Sequence, residues 1–503
     1  MISKFTTRSC VLAALTFAFA AHAEVKLHGL FGDNMVLQRD AAVPVWGWAD
    51  DGEKITIEFR NQTVSTIAKD GKWMVKLKKL KAGGPDELRV NGKNAAITLK
   101  NVLVGEVWIA SGQSNMEWPM RASFSPDTEI PKTENALLRL YTVPKLKAEE
   151  PRDNVPASWQ QCNPSTTPNF SAVAYYFGRD LARALNVPVG IIHTSWGGSP
   201  AEVWMSEEVL TSNSAYKSNI FDAYPAQAAR AKEAIAAFEK EQETAKAEGK
   251  TFNKRRPGMP WRPTELYNGM IAPLIPYAIK GAIWYQGESN AGRAHQYRTL
   301  FADMIRNWRT DWDQGDFPFL LVQLAPFMAI KDQPSESAWA ELREAQALAT
   351  KKLPKVGMAV ITDVGDEKDI HPKKKEPVGA RLALAAQKIA YGQDIVYSGP
   401  TYKSMKVKDG KAVLTFENVG GGLEARGGEL KGFAIAGEDK KFVWAKAEIQ
   451  GDKVVVSSPE VSAPAAVRYG WADFPVVNLW NKEGLPASPF RTDDFPMTTL
   501  AKK

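Results

Sequence analysis

Apolar residues near the start of the chain fall in short runs that are separated by polar turns. Runs of strand length lie at residues 43–48, 54–60, 73–80 and 87–90. The pairs Asp51-Gly52 and Asp70-Gly71 are turn signals between them. Because no segment with helical periodicity interrupts these runs, the pattern predicts an antiparallel β-sandwich region over residues 24–101.

The pattern changes at residue 102, where segments of strand length and helix length begin to alternate. Apolar runs of strand length lie at residues 102–110, 189–193, 281–286, 319–324 and 356–362. Helical periodicity marks residues 171–185, 295–312, 335–350 and about 374–391, and Ser171 is the expected N-cap of the first of these helices. The alternation predicts an α/β domain over residues 102–392, in which helices cover both faces of a parallel sheet. Ligands bind such sheets at the carboxyl ends of the strands.

Two further segments complete the expected domain organisation. An insertion at about residues 206–262 contains an Ala/Glu/Lys-rich stretch, 226–247, that predicts a solvated helix. It either shapes a substrate cleft or only enlarges the scaffold. After residue 393 strand-length runs return, at residues 412–416, 433–435, 442–449 and 453–457. These runs predict a second β-sandwich region over residues 393–503.

The first 23 residues have the pattern of a secretory signal. Lys4 and Arg8 precede an apolar run at 11–20, and residues 21–23 (AHA) form a small-x-small cleavage site. A membrane anchor is the alternative, but the run has about half of the roughly 20 residues that a span needs. No later segment is long enough either. We therefore expect an exported protein, periplasmic or extracellular, with no membrane span in the mature chain.

Composition and charge exclude several classes of protein. The 503-residue chain is 44% hydrophobic and 24% charged, which is typical of a folded globular protein. Its formal net charge falls from +7 to +5 when Lys4 and Arg8 leave with the signal. The basic runs 254–256 and 373–375 belong to no nucleic-acid module, so we interpret them as solvated surface charge and expect no nucleic-acid partner. Cys162 is the one cysteine outside the signal, which rules out an intramolecular disulfide, and we expect it to be buried.

Three of the predicted strands end in segments with candidate chemistry. Residues 111–116 (SGQSNM) place a small residue and a glycine before Ser114, in a tight turn that exposes its hydroxyl. Taken alone, however, this segment favours a helix-capping serine over a nucleophile. Residues 194–199 (TSWGGS) carry paired glycines whose N–H groups suit half of an oxyanion hole. Residues 284–290 (WYQGESN) carry amide side chains that could donate to an oxyanion. Ordinary turn chemistry explains the last two segments just as simply.

A serine nucleophile usually needs a histidine base, and histidines are few outside the signal. His28 lies in the first β region, His193 ends a strand and His295 begins a helix. His371 follows the last strand of the α/β domain, in a loop with acidic residues that could orient its ring. His371 is therefore the candidate base, and a surface histidine in an acidic loop is the alternative.

These segments resemble the sequence blocks of the sialate O-acetylesterase family, within the wider SGNH hydrolases. The matching blocks are residues 112–116 (GQSNM), 195–198 (SWGG), 284–290 (WYQGESN) and 369–372 (DIHP), in the family's order and spacing. The resemblance continues at residues 27–38, 266–274 and 481–486, so it covers nearly the whole mature chain. It implies an SGNH-like three-layer α/β core between the two β-sandwich regions.

The resemblance also implies a catalytic triad. Ser114 would be the nucleophile, His371 the general base and Asp369 the residue that orients the base. Many SGNH enzymes place this acid three residues before the histidine, where the present sequence has Lys368. Asp369 is therefore the expected orienting residue, and Asp366 is the alternative.

The implied oxyanion hole consists of the backbone N–H groups of Ser114 and Gly198 together with Asn290. The resemblance leaves the roles of two neighbouring residues less defined. Gln286 could assist the oxyanion hole, and Glu288 could hold its loop. No metal or other cofactor is expected, because the chain has neither a His-Glu-x-x-His motif nor paired cysteines.

The expected activity is hydrolysis of O-acetyl esters on a sugar through a serine acyl-enzyme, with an O-acetylated carbohydrate as substrate. Acetylated sialic acid is the sugar that the family suggests, and acetylated xylan or xyloglucan is the alternative. A sugar-binding protein without catalysis would also use aromatic residues such as Trp118, Trp196, Trp204 and Trp261. A peptidase with the same triad is a third possibility. The sequence does not determine the sugar or the oligomeric state.

Overall fold

The structure is a computed structural model that describes residues 24–500. The predicted signal, residues 1–23, lies outside the described residues. Across residues 24–500, no helix combines the length and the apolar character that a membrane crossing requires.

The region before residue 101 is built of short β-strands, as the sequence predicts. The strands are β1 (Lys26–Leu27), β2 (Val36–Gln38), β3 (Val43–Trp48), β4 (Lys54–Phe59), β5 (Gln62–Ile67), β6 (Lys72–Leu77), β7 (Gly83–Asn91) and β8 (Ala96–Gly112). β3 pairs antiparallel with β1 and β6, and β4 pairs antiparallel with β5 and β7. β8 is 17 residues long and crosses the expected boundary at residues 101/102. Its first half pairs with β2 and β7, and its second half enters the central sheet.

The central sheet contains six further strands: β9 (Asn135–Thr142), β10 (Gln160–Cys162), β11 (Val189–Ser195), β12 (Gly281–Tyr285), β13 (Phe319–Val322) and β14 (Val356–Ala359). The strand order is β10-β9-β11-β8-β12-β13-β14. All neighbours pair in parallel except β10 and β9. β8 and β12 lie next to each other, so their carboxyl ends meet at one edge of the sheet.

Nine α-helices lie between the strands in the described part of the chain: α1 (Ser114–Glu117), α2 (Pro126–Glu129), α3 (Ala172–Leu185), α4 (Glu207–Ser212), α5 (Ser214–Tyr216), α6 (Tyr224–Ala247), α7 (Ala294–Trp312), α8 (Ala338–Lys352) and α9 (Glu376–Ile389). Ser171 caps α3 by accepting a hydrogen bond from the Ala174 N–H (3.1 Å), as the sequence predicts. The predicted solvated helix at 226–247 is α6, and Phe238 is its one buried residue.

The region after residue 393 returns to β-structure: β15 (Thr401–Lys408), β16 (Lys411–Glu417), β17 (Leu423–Ala425), β18 (Phe433–Ala436), β19 (Val443–Trp444), β20 (Lys446–Gln450), β21 (Lys453–Ser457), β22 (Ala466–Tyr469), β23 (Leu479–Asn481) and β24 (Phe490–Arg491). The single strand expected at 442–449 is wrong. The chain changes sheets at Ala445, because β19 pairs with β18 whereas β20 pairs with β21.

Two hydrophobic cores hold these elements together. The larger core joins the first β region to the central sheet and its helices, and the smaller lies within the last β region. Cys162 is buried in the larger core, as expected. The molecule is thus a mixed α/β protein with several sheets, and its central parallel sheet brings the predicted strand-end segments together.

Candidate active site

The turn that carries Ser114 lies where β8 and β12 end side by side. Gly112, the last residue of β8, has φ +140°, and a Cβ atom on it would lie 2.2 Å from the Tyr285 carbonyl oxygen. Only glycine allows this approach of the two strand ends. Gln113 then donates its N–H to the same oxygen (3.0 Å), and α1 begins at Ser114. The turn therefore places Ser114 at the start of a helix and at the edge of the sheet.

The Ser114 hydroxyl contacts the imidazole of His371. The distance from Ser114 Oγ to His371 Nε2 is 2.9 Å. The imidazole stacks on the Trp118 indole, with a ring separation of 4.9 Å and an interplanar angle of 17°. Burial lowers the pKa of His371, and the charge of Lys375 lowers it further. His371 is therefore held as a neutral base beside a hydroxyl, which is the arrangement that activates a serine.

Asp369 lies next to Nδ1 of His371, whereas Ser114 contacts Nε2 of the same ring. Its Oδ1 is 3.4 Å from His371 Nδ1 and accepts the His371 backbone N–H at 2.9 Å. Asp366 instead accepts the N–H groups of Lys368 (2.8 Å) and Asp369 (3.2 Å), and so shapes the loop. Of the two candidate acids, the structure places Asp369 beside the imidazole.

The glycine pair after β11 lies against Ser114. A Cβ atom on Gly197 would be 3.2 Å from Ser114 Cβ. The Gly197 N–H donates to Glu117 Oε2 (2.7 Å), whereas neither Gly198 N nor Ser114 N has a hydrogen-bond acceptor among residues 24–500. Gly198 has φ +76°, and no atom would contact a Cβ there. The backbone N–H groups of Ser114 and Gly198 are thus free to donate to a ligand.

The amide side chains after β12 form a buried network. Gln286 Nε2 donates to Asn290 Oδ1 (2.7 Å) and to the Ser199 carbonyl (3.3 Å). Asn290 Nδ2 donates to Glu202 Oε2 (2.9 Å). Both Gln286 donors are therefore engaged within the protein, and neither side chain contacts Ser114 directly. Their part in an oxyanion hole stays a prediction.

A second buried network, which contains Glu288, lies beside the Ser114–His371 pair. Asn115 Nδ2 donates to Glu288 Oε1 (2.7 Å) and to the Ile370 carbonyl (3.0 Å), and Asn115 Oδ1 accepts from Lys375 Nζ (2.5 Å). The interpretation of residues 373–375 as solvated charge is wrong for Lys375, whose exposed fraction is 1%. The burial of Lys375 could have been predicted from the spacing of residues along the helix that follows it.

Lys375 is spaced from the buried residues of α9 as a residue on the same helix face would be. Lys375 precedes the buried Val378, Gly379 and Leu382 of α9 by three, four and seven residues, which places all four on one face of the helix. Because this face of α9 is otherwise apolar, the spacing indicates that Lys375 is buried with it.

None of the other histidines described by the structure forms a hydrogen bond with Ser114. His28 is buried in the first β region, and burial lowers its pKa to about 4. His193 Nε2 lies 2.6 Å from Ser195 Oγ in a buried pair, and burial lowers the pKa of His193 to about 4 as well. A buried pair of this kind can support the loop after β11, but a substrate cannot reach it.

Aromatic residues flank the glycine pair on one side. The rings of Trp196 and Trp261 are both half-buried and meet edge to face at 5.6 Å. Lys147 Nζ lies 4.0 Å from the centre of the Trp261 ring. Trp204, another candidate sugar contact, is fully buried and packs against Trp284. It serves the core, because no ligand can reach it.

Within residues 24–500, no three or more His, Cys, Asp or Glu side chains are grouped in a way that could hold a metal ion. The chemistry that these residues offer is that of a serine hydroxyl, a histidine base and backbone N–H donors. This arrangement suits acyl transfer.

Comparisons with known proteins find similar carbohydrate esterases. A family model described as carbohydrate esterase, sialic acid-specific acetylesterase, matches residues 257–388. Sialate O-acetylesterase of Mus musculus is 28% identical over 528 residues, covering 95% of this chain and 94% of the mouse protein. The Homo sapiens enzyme of the same name is 27% identical, with 95% and 93% covered.

A solved structure is also similar. The crystal structure of a carbohydrate acetylesterase from Xanthomonas citri has a TM-score of 0.82 and 40% sequence identity, and the match covers 94% of this chain and 100% of that one.

Proposed function

Because this chain belongs to the sialate O-acetylesterase family of carbohydrate esterases, we propose that it removes O-acetyl groups from a sugar by means of a Ser114 acyl-enzyme. Carbohydrate O-acetyl ester hydrolysis is its activity, and the serine mechanism is our assignment. The observation that carries the assignment is the 2.9 Å contact between Ser114 Oγ and His371 Nε2.

In the first step, Ser114 Oγ attacks the acetyl carbonyl carbon while its proton passes to His371 Nε2. The carbonyl oxygen becomes an oxyanion, and the free N–H groups of Ser114 and Gly198 are suited to stabilise it. When this intermediate collapses, the bond to the sugar oxygen breaks and His371 gives its proton to that oxygen. The products of this step are the free sugar hydroxyl and acetyl-Ser114.

In the second step, His371 removes a proton from water, and the hydroxide oxygen attacks the acetyl carbon. Collapse releases acetate and returns the proton to Ser114 Oγ. Asp369, which accepts the His371 backbone N–H and lies 3.4 Å from Nδ1, would orient the imidazole and favour its protonated form during both steps. Gln286 and Asn290 would support the oxyanion side of the site through their network.

The sugar would lie against Trp196 and Trp261. Aromatic rings beside a catalytic serine provide apolar faces on which the C–H groups of a sugar ring can pack. Trp196 directly precedes the glycine pair, and its ring meets that of Trp261. Both indoles are partly exposed, unlike Trp204. The mouse and human relatives are named for sialate esters, and the Xanthomonas citri protein is titled only a carbohydrate acetylesterase. Acetylated sialic acid and acetylated hemicellulose are therefore the two substrates to compare.

We further infer that the central sheet and its helices form the three-layer SGNH-type core. Contacts between α3 and α9, and between α7 and α8, support two separate helix layers. The β regions at 24–101 and 393–503 would be the flanking domains, and the insertion at 206–262 would border the site. From the pattern of residues 1–23 we infer export to the periplasm or the extracellular space.

The test is release of acetate from acetylated sialic acid, acetylated xylan and 4-nitrophenyl acetate by wild type and Ser114→Ala. The substitution should reduce kcat on every ester by at least about 10³-fold, because it removes the nucleophile. Ser165→Ala, at an exposed serine, is the matched control and should behave as wild type. Equal rates for wild type and Ser114→Ala would refute the serine mechanism. Cleavage of amide substrates without acetate release would indicate the peptidase alternative.

A further inference from the structure

Lys375 is a buried cation in direct contact with the catalytic turn. It is the N-cap residue of α9, and its side chain extends beneath the Ser114–His371 pair. Nζ donates to Asn115 Oδ1 at 2.5 Å and lies 5.8 Å from the Trp118 ring centre and 5.4 Å from that of Tyr285. An ammonium group loses its hydration when it is buried, so a protein retains one in such a place only with compensating contacts. Here the compensation comes from an amide oxygen and two aromatic faces.

The bond to Lys375 sets the orientation of the Asn115 amide. Because the amide oxygen accepts from Nζ, the NH₂ group points the other way, towards Glu288 Oε1 and the Ile370 carbonyl. Asn115 is the neighbour of the nucleophile in sequence, and Ile370 is the neighbour of the base. Lys375 therefore fixes a side chain that links the turn of Ser114 to the loop of His371.

We propose that Lys375 is a positioning residue of this esterase: its ammonium group orients the Asn115 bridge between nucleophile and base, and places a positive charge over the Trp118 ring that stacks on His371. This inference rests on the proposed function, in which His371 is the general base. Trp118 contacts both groups, since it stacks on the His371 ring and also faces Lys375 Nζ.

The charges around His371 oppose one another. Lys375 lowers the pKa of His371, whereas Asp369 raises it. Burial lowers the pKa of Lys375 itself to about 7, with Glu288 and Asp369 acting in the opposite direction. Burial also raises the pKa of Glu288 and that of the facing Tyr285 phenol, so neither group gains charge readily. Lys375 is thus mostly protonated below pH 7.

The lowered pKa of His371 has a direct kinetic consequence. The kcat/KM profile of the free enzyme rises with pH as its base loses a proton, so the midpoint of the acid limb reports the His371 pKa. In wild type this midpoint should lie below 6.5, the unperturbed histidine value. Removal of the Lys375 charge should move it upward.

Two substitutions separate the two roles of Lys375. Lys375→Gln removes the charge but keeps a donor for Asn115 Oδ1, and Lys375→Met removes both. Both variants should raise the midpoint of the acid limb by about 1 pH unit, the scale of a nearby charge. Lys375→Met should in addition lower the plateau kcat about tenfold, because Asn115 loses its orientation. Lys374→Met, at the exposed neighbour, should match wild type in both respects.

The measurement is kcat/KM and kcat for acetate release from pH 4 to pH 9, with thermal unfolding of each variant as the check of folding. An acid limb that does not move in either variant overturns the proposal, and so does a wild-type plateau in a folded Lys375→Met. If Lys375→Met does not fold, the midpoint of the acid limb measured for Lys375→Gln decides the result. Failure of the serine mechanism itself would appear separately, as full activity of Ser114→Ala.

Discussion

The Asn115 amide donates a hydrogen bond to the carbonyl oxygen of Ile370, at 3.0 Å, across 255 residues of sequence. Each residue adjoins a member of the Ser114–His371 pair. The relative position of nucleophile and base therefore depends on an amide that itself has no chemical step to perform. Buried polar contacts of this kind are specific because an unmade bond costs more than a made one gains.

Asn115→Ala should lower kcat by about 10-fold to 100-fold, since small displacements of a nucleophile from its base have effects of this size. The free energy of unfolding should also fall by about 2–4 kcal/mol, because the buried Lys375 and Glu288 lose their shared partner. Acetate release and urea unfolding measure the two effects. Asn94→Ala, at an exposed asparagine, is the matched control. Wild-type kcat in a folded Asn115→Ala would show that the bridge has no positioning role.

Asp369→Asn should reduce kcat by about 10²-fold. The expected loss is smaller than that of a buried triad aspartate, because the Asp369 side chain is 42% exposed and water can replace part of its effect. Asp366→Asn should change kcat by less than about fivefold, because Asp366 bonds to loop N–H groups and does not contact the ring. Parallel kinetics of the two variants test this assignment. A larger loss in Asp366→Asn would make Asp366 the orienting acid.

Trp261→Ala should raise KM for an acetylated glycan about tenfold and leave kinetics with 4-nitrophenyl acetate unchanged. A lost ring contact of about 1–1.5 kcal/mol accounts for a tenfold effect, and the small ester does not extend to Trp261. Trp444→Ala, at an exposed tryptophan of the last β region, is the matched control. An equal change on both substrates would place Trp261 outside the sugar site.

The free energy of unfolding should fall between pH 6.5 and pH 4 through two buried histidines. Burial holds the pKa values of His28 and His193 at about 4, whereas in the unfolded chain they return to 6.5. The unfolded state then binds more protons in this range, so acid favours it. Each histidine contributes up to about 3 kcal/mol above pH 6.5, and this contribution is lost as pH falls towards 4.

Urea unfolding at a series of pH values measures this loss, and His193→Gln removes one of the two contributions. The variant should therefore have a shallower pH dependence than wild type over this range. Identical slopes for the two proteins would mean that His193 does not remain neutral in the fold.

Local pattern was sufficient for most of the secondary structure. The Ser171 cap, the alternation of strands and helices, and the long solvated helix all depend on residues within a few positions of one another. The prediction of a single strand at 442–449 was wrong, because an apolar run of that length does not show that the chain leaves one sheet for another at Ala445.

The sequence by itself determined which segments meet at the edge of the sheet, because parallel strands present their carboxyl ends together. The small number of histidines and the family resemblance then paired Ser114 with His371 before any distance was known. Only the tertiary structure showed that Asp369, and not Asp366, lies beside the His371 imidazole. It also showed that Trp204 and Lys375 are buried. These outcomes depend on contacts between residues far apart in the chain, such as Lys375 and Asn115, and on the burial that those contacts create. Composition and spacing describe neither.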